Sequence, residues 1–238
     1  MNVLPAPVHN HEGVAEIVIA GEQALCDPFG ALYFPALDLL CVSDLHLEKG
    51  SSLARRGMLV PPYDTAATLL RLRAVIDRYR PRTVISLGDS FHDADGAARL
   101  PDMIRADLAA LTVGRSWFWV AGNHDPRPPA GLPGETVEAL ALGNLVFRHE
   151  PSPQASEGEI AGHLHPCARI VQRGRSVRRR CFATDGVRAI MPAFGAYTGS
   201  LNVLDRAYAG LFRREGLMAY MIGARRVFAI AGGILQPG

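Results

Sequence analysis

The sequence predicts an α/β fold in which strands alternate with helices, and three observations carry that reading. Short apolar runs rich in Val, Ile, Phe and Trp recur along the 238 residues, separated by turns or by helix-length amphipathic segments. From the third run onward these segments end in polar exits carrying Asp, Asn or His, at Asp44, Asp89, Asn123, His149 and His163. Hydrophobic residues make up 48% of the chain, enough for one sizeable core. The expected layout is a loose segment over 1–14 and a single domain over 15–238, with a basic portion at 166–238.

The elements follow in order. Residues 15–20 and 30–34 read as strands, and 39–43 as a third that delivers Asp44 and His46 at its exit. On an extended strand end, residues i and i+2 point to the same side, so this carboxylate and imidazole are expected to converge. Residues 51–60 read as a helix or ordered loop beside them. Pro61-Pro-Tyr-Asp-Thr65 opens a helix with Asp64 or Thr65 as its N-cap, and Leu69, Leu72, Ile76 and Tyr79 share one face. Pro81 stops that helix, and the strand at 83–87 ends in Gly88-Asp89. A second helix is expected over 101–111 and a strand over 116–121, with Trp117 and Trp119 in the core. It runs into Gly122-Asn-His-Asp125.

After a Pro/Gly loop at 126–134, short strands at 145–148 and 159–161 lead to His149 and to Gly162-His-Leu-His165. Segments 168–171 and 176–182 predict a hairpin that turns at Arg173-Gly-Arg175, and a Gly-rich turn occupies 194–200. Repeats and low-complexity tracts are absent. In open α/β sheets, sites collect outside the carboxyl ends of the strands. Here those exits carry groups that bind metals.

Composition narrows the function classes. No run approaches the roughly 18 apolar residues of a membrane span. The start, Met1 to Val8, lacks the basic flank and apolar core of a secretion signal, so a cytoplasmic protein is expected. Four cysteines without CxxC spacing (Cys26, Cys41, Cys167, Cys181) read as buried thiols rather than a zinc knuckle or disulfide framework. The net charge of +2 is unevenly spread: from Pro166 onward there are 12 Arg against 3 acids, while the first 165 residues hold 13 basic and 20 acidic groups. That asymmetry suggests a polyanionic partner, with scattered surface charge as the plainer alternative.

Five of the eight histidines fall inside an ordered set: Asp44-x-His46, Gly88-Asp89, Gly122-Asn-His-Asp125, His149 and Gly162-His-x-His165. Of the rest, His92 follows Asp89 by three residues, and only His9 and His11 lie far from the set. The donors are oxygen and imidazole with no thiolate, which suits Mn²⁺, Fe or Zn²⁺. Two metals would need a shared bridge, and the two oxygens of Asp89 offer one.

This order of motifs resembles the calcineurin-like metallophosphoesterases. The resemblance implies a four-layer αββα sandwich of two mixed β-sheets flanked by helices, and two divalent metal ions. Asp44, His46, Asp89 and His165 would hold one ion, and Asp89, Asn123, His149 and His163 the other. It further implies in-line attack by a metal-bridging hydroxide, with His124 as general acid and Asp125 orienting it.

The surrounding segments narrow the branch. Asp44-Leu-His-Leu-Glu-Lys-Gly50, Pro61-Pro-Tyr-Asp-Thr65, Leu87-Gly-Asp-Ser-Phe-His-Asp93, Arg148-His-Glu-Pro151 and Pro192-Ala-Phe-Gly-Ala-Tyr-Thr-Gly199 are similar to the bacterial ligase-associated DNA-damage-response endonucleases, over residues 30–203. That similarity implies a Mn²⁺-dependent phosphodiesterase acting on DNA, in a repair set with an ATP-dependent DNA ligase, a helicase and an exonuclease. His92, Lys49, Arg56 and Arg178 are the expected substrate contacts. The arginines of the 173–180 hairpin could track a phosphate backbone or form a merely solvated basic hairpin. Two other readings stand beside this one: the same chemistry on a small nucleotide or nucleotide-sugar substrate, and a non-catalytic scaffold. A scaffold would be expected to lose ligands, and here the whole set is present.

Overall fold

The chain enters the fold through a hairpin that the sequence does not announce. Strands β1 (Ala15–Ile19) and β2 (Glu22–Cys26) pair antiparallel across Ala20 and Gly21, whose φ angles of 49° and 86° are both left-handed. A two-residue turn of this kind matches the twist of the strands, but Ala-Gly lacks the Asn or Asp that usually marks it. The computed structural model describes residues 12–127, 129, 131–154 and 156–238. The expectation of a loose segment over 1–14, with His9 and His11, therefore falls almost wholly outside the described residues.

The first sheet continues with β3 (Leu32–Phe34), β4 (Leu39–Val42), helices α1 (Lys49–Arg55) and α2 (Asp64–Tyr79), and β5 (Thr83–Leu87). Helices α3 (Gly96–Arg99) and α4 (Asp102–Thr112) precede β6 (Ser116–Val120) and β7 (Glu135–Val137). The seven strands lie in sequence order, antiparallel from β1 to β4 and parallel from β4 to β7.

The second sheet takes the rest of the chain: β8 (Ala139–Leu142), β9 (Leu145–Arg148), β10 (Glu159–Ala161), β11 (Pro166–Gln172) and β12 (Arg175–Thr184). It is completed by β13 (Ala189–Ile190), β14 (Leu201–Asn202), β15 (Met218–Ile222) and β16 (Val227–Ala231). Its main order is β14-β11-β12-β13-β10-β9-β8, with β15 and β16 added alongside β12. Both sheets are mixed. Strands β10, β9 and β13 run parallel, and the β11–β12 hairpin turns at Arg173 and Gly174, at φ 51° and 73°.

Three apolar layers bind these parts. Leu69, Leu72, Val75, Ile76 and Tyr79 of α2 and Leu108 and Leu111 of α4 pack on one face of the first sheet, against Leu40, Val84, Trp117 and Trp119. Between the sheets lie Ile17, Phe34, Cys41, Ile85 and Leu87 against Phe147, Ile160, Phe182 and Met191. The outer face of the second sheet is covered by Val203, Tyr208, Leu211, Phe212 and Leu235. There the flanking layer consists of short 3₁₀ turns at Arg206–Tyr208, Arg214–Gly216 and Gly232–Ile234.

Two local expectations change. Neither Asp64 nor Thr65 caps α2. The Asp64 carboxylate accepts the Gly50 amide at 3.0 Å and the Thr65 hydroxyl accepts the Glu48 amide at 2.9 Å, so both satisfy free N–H groups at the start of α1. Strands β7, β8, β13, β14, β15 and β16 were not legible in the sequence. All but β15, which lies between β12 and β16, are short or sit at sheet edges, where pairing rather than side-chain pattern defines them. All four cysteines are buried and unpaired. Among the described residues no helix is long and apolar enough to cross a membrane.

Candidate metal centre

Strands β4, β5 and β6 of one sheet and β9 and β10 of the other end at a common edge, where their exits are stitched together. The amides of Asp44 and His46 donate to the carbonyls of Gly88 and Asp89, at 3.2 and 2.9 Å, and the Gly162 amide donates to the His149 carbonyl at 2.9 Å. The His163 amide crosses between sheets to the Asp44 carboxylate, at 3.1 Å.

The extended-strand explanation for the Asp44–His46 pair does not hold. Both residues are left-handed, with φ of 53° and 43°; so are Asp89 at 46°, and His163 and His165 at 66° and 46°. In Asp44-x-His46 and His163-x-His165 alike, alternate left-handed residues, not strand periodicity, turn the two side chains inward. Such conformations cost roughly 1–3 kcal/mol each for residues with a side chain. They hold here because the inter-loop hydrogen bonds and the tight packing of neighbouring glycines over-determine the backbone. Gly88, itself at φ 75°, has no room for a Cβ, which would lie 2.2 Å from the His149 ring. A Cβ on Gly122 would meet the Asp89 amide nitrogen at 2.2 Å, and one on Gly162 the Ser43 hydroxyl at 2.0 Å. Gly122→Ala should therefore displace Asp89. Its expected effect is a loss of about 10-fold or more in metal affinity, by analogy with other disturbed ligand supports. Metal titration with a parallel Tm measurement checks this, and wild-type affinity would mean the Asp89 loop can yield.

The side chains form two groups. In the first, the Nε2 atoms of His46 and His165 are 3.3 Å apart, and His165 Nε2 is 3.2 Å from Asp44 Oδ1. In the second, His149 Nε2 is 2.9 Å from Asn123 Oδ1, 3.2 Å from His163 Nδ1 and 3.4 Å from Asp89 Oδ1. Asp89 joins the two, since its other oxygen, Oδ2, lies 3.8 Å from His46 Nε2. Asp44 is fully buried, and Asp89, His149 and His46 are 2%, 4% and 6% exposed.

This donor set fits a cation. Asp44–His46–His165 and Asp89–His149–His163 each bring three ligand atoms within 4.8 Å of one another. Ring nitrogens facing each other at 3.2–3.3 Å need a proton or a metal between them. His149 donates Nδ1–H to the Leu87 carbonyl at 3.1 Å, which leaves Nε2 as the free donor, the usual arrangement behind a metal-binding imidazole. Electrostatics point the same way. Burial opposes charge on His149, yet Asp89, Asp44 and the Leu87 carbonyl lift its pKa to about 9. Burial would raise Asp89, but the His149 hydrogen bond and charge and the His124 amide hold it near 2. The carboxylates recruit a positive charge to the centre.

The remaining predicted residues surround this core. His124 is exposed; its amide donates to Asp89 Oδ1 at 2.9 Å and its Nε2 lies 3.9 Å from Asp89 Oδ2. Its Nδ1–H donates to the His92 carbonyl at 2.9 Å, and the two rings stack with centroids 5.3 Å apart. The Asp125 carboxylate instead accepts the Phe91 amide at 2.9 Å, so it braces the 89–91 loop rather than touching the His124 ring. Burial pushes Asp125 up to about 7. Lys49 and Arg56 lie close enough to His92 that, after burial, their charges help push its pKa down to about 4. Arg178 stands apart on β12, where it donates to Cys167 Sγ at 3.1 Å and to the Ser200 carbonyl at 2.7 Å.

Sequence reasoning missed three supports: the Leu87 carbonyl behind His149, the His92 carbonyl behind His124, and Ser43, whose hydroxyl donates to Asp44 Oδ2 at 2.5 Å. Carbonyls carry no residue signature, and a serine at a strand exit looks like any turn serine. Beside the second group, Asn123, His149, Arg148, Glu138 and Glu150 line an open cleft of about 430 Å³.

Residues 37–182, which contain both candidate ligand groups, match the calcineurin-like phosphoesterase family. The chain belongs to that family. It is therefore a metal-dependent phosphoesterase, a hydrolase, and divalent ions are the groups its His and Asp clusters could hold. Among solved structures, the Pseudomonas putida nuclease MPE is similar at a TM-score of 0.70 and 27% identity, covering 90% of this phosphoesterase and 100% of that chain. The E. coli phosphoesterase YfcE aligns with 81% of this chain and 98% of its own, at 13% identity and a TM-score of 0.41. No curated protein matches the chain.

Proposed function

We propose that this phosphoesterase is a DNA phosphodiesterase that cuts within the strand, with Mn²⁺ preferred over Fe or Zn²⁺. The observation that carries the nucleic-acid reading is the end-to-end similarity to the P. putida nuclease. The open cleft beside Asn123 and His149 supports it, since a small-nucleotide substrate would call for a closed pocket. The oxygen and imidazole donor set suits all three ions, and the preference for Mn²⁺ rests on the resemblance to the ligase-associated endonucleases. Work in a bacterial repair set with an ATP-dependent DNA ligase, a helicase and an exonuclease belongs to the same reading.

Asp44, His46 and His165 would hold one ion and Asn123, His149 and His163 the other, with one oxygen of Asp89 turned to each. When bound, two divalent ions supply Lewis acidity at the phosphate and an activated water. The protein's own contribution is positional. The His92 carbonyl fixes the Nδ1–H of His124, so Nε2 is the atom that faces the site. Protonated there, it donates to the departing deoxyribose oxygen. His92, Lys49 and Arg56 line the approach and place positive or hydrogen-bonding groups against the phosphates on either side. Asp125 holds the backbone that presents Asp89 and His92.

Cleavage of circular single- and double-stranded DNA by the Mn²⁺-loaded protein tests the reading, with bis-p-nitrophenyl phosphate alongside and Asp89→Ala as the contamination control. The expected result is linear and shorter products from wild type alone, since a circle offers no end to trim. Turnover of only the small diester would keep the metal chemistry and end the endonuclease reading.

A further inference from the structure

A cluster of positive charge lies outside the metal centre and, among the described residues, has no carboxylate counter-ion. Arg71 of α2 and Arg178, Arg179 and Arg180 of β12 line a cleft of about 640 Å³, together with Phe29 and Ser200. Among the described residues none of these four guanidinium groups pairs with a carboxylate, although seven other arginines do. Their protein partners are neutral: Arg180 donates to the Ala193 carbonyl, Arg179 to the Arg178 carbonyl, and Arg178 to the Ser200 carbonyl and Cys167. Each guanidinium has five N–H donors, so most of them remain for a ligand. A solvated basic surface does not explain Arg180, which is half-buried. Burial, and then Arg71, push its pKa down to about 10. Like charges are held together here at a cost that an anion would remove.

The cleft is tied to the metal centre by one segment, 193–201. The Ala193 carbonyl holds Arg180, while the Phe194 and Gly195 amides donate to the carbonyls of Ser43 and Asp44. At the other end the Ser200 carbonyl holds Arg178, and the Leu201 amide donates to the His165 carbonyl. Ala193 and Gly195 are at most about 7 Å apart along the chain. The guanidinium groups of Arg178 and Arg180 therefore lie within about 15 Å of the Asp44–His165 group. A strand advances about 3.4 Å per nucleotide when helical and more when extended, so the gap corresponds to roughly two to four nucleotides. Phe29, 37% exposed on the cleft wall, offers an apolar face to an unstacked base.

We propose that Arg71, Arg178, Arg179 and Arg180 form a phosphate-binding subsite for the nucleic-acid backbone, which grips the strand on the Asp44–His165 side of the metal centre. This rests on the nuclease reading above and adds where the strand is held. Its chemical demand is a polyanionic chain; a mononucleotide is too short to fill both places.

The test compares wild type with R71A/R179A, which leaves the hydrogen bonds of Arg178 and Arg180 intact, and with R173A/R175A, which removes the same charge at the hairpin tip. Fluorescence anisotropy with labelled single-stranded DNA of about 12 nucleotides is run across a salt series, beside activity on that DNA and on bis-p-nitrophenyl phosphate. R71A/R179A is expected to bind about 10-fold or more weaker, with a salt slope shallower by about 1.4. Its ratio of DNA to small-diester activity should fall by a similar factor, while R173A/R175A changes far less. Equal losses in both variants, an unchanged R71A/R179A, or no oligonucleotide binding by wild type overturns the proposal. DNA bound but never cut by wild type would remove the nuclease reading, with the two variants' affinities still deciding for or against the cleft. DNA cut with the same activity ratio by wild type and R71A/R179A would remove the cleft alone.

Discussion

Asp89→Ala is expected to reduce phosphodiester hydrolysis to background and to lower bound metal from two ions per chain to one or none. The reason is geometric. Asp89 Oδ1 faces His149 at 3.4 Å and Oδ2 faces His46 at 3.8 Å, so one carboxylate serves both ligand groups. Removing it also frees the His124 amide, which loses its 2.9 Å acceptor. Folding must therefore be checked separately, by circular dichroism and thermal unfolding. Asp89→Asn provides the finer comparison: it keeps the size and an acceptor for His124 but removes the charge that the ions share. Elemental analysis of metal content for both variants reads the effect independently of turnover. If Asp89→Asn kept two ions at wild-type affinity, a shared carboxylate could not be what holds the pair together.

His124→Ala should behave differently, losing turnover while keeping its metals. A positioned general acid contributes about 10²–10⁴-fold. A loss of that size is expected on DNA, whose leaving oxygen is strongly basic, and a much smaller one on bis-p-nitrophenyl phosphate, whose leaving group departs without a proton. The metals should stay because the neighbouring Asn123, not His124, stands among the two ligand groups. A competing geometry exists, since His124 also clusters with His46 and His92 in an arrangement able to hold an ion. Metal loss in His124→Ala would favour that arrangement and remove the acid role. The His92 carbonyl that holds His124 Nδ1 is backbone, so His92→Ala should spare this orientation and isolate the contribution of the His92 ring.

Much of the site was legible before any coordinate. The order Asp44-x-His46, Gly88-Asp89, Gly122-Asn-His-Asp125, His149 and Gly162-His-x-His165 puts carboxylate, amide and imidazole groups at successive strand exits, and the resemblance to the family supplied their expected role as ligands. The strands at Thr83–Leu87 and Leu145–Arg148 were readable from apolar runs bounded by turn residues. The helix face of Leu69, Leu72, Ile76 and Tyr79 was readable from its spacing. Local chemistry and local periodicity are written in consecutive residues.

Contacts between distant segments are not written that way. The left-handed backbone at Asp44 and His46 replaced the expected strand geometry, since hydrogen bonds between loops outweigh each residue's own preference. Asp64 and Thr65 turned from capping their own helix to holding the start of α1, and Asp125 braced Phe91 rather than His124. The arginine cleft joins Arg71 to residues more than a hundred positions later. The sequence by itself determined which groups are available for metal chemistry and in what order they emerge from the strands. Which of them meet is settled by the tertiary structure, because side-chain pairing across 14 to 119 residues depends on how two sheets stack, and on the carbonyls and voids that no residue type records.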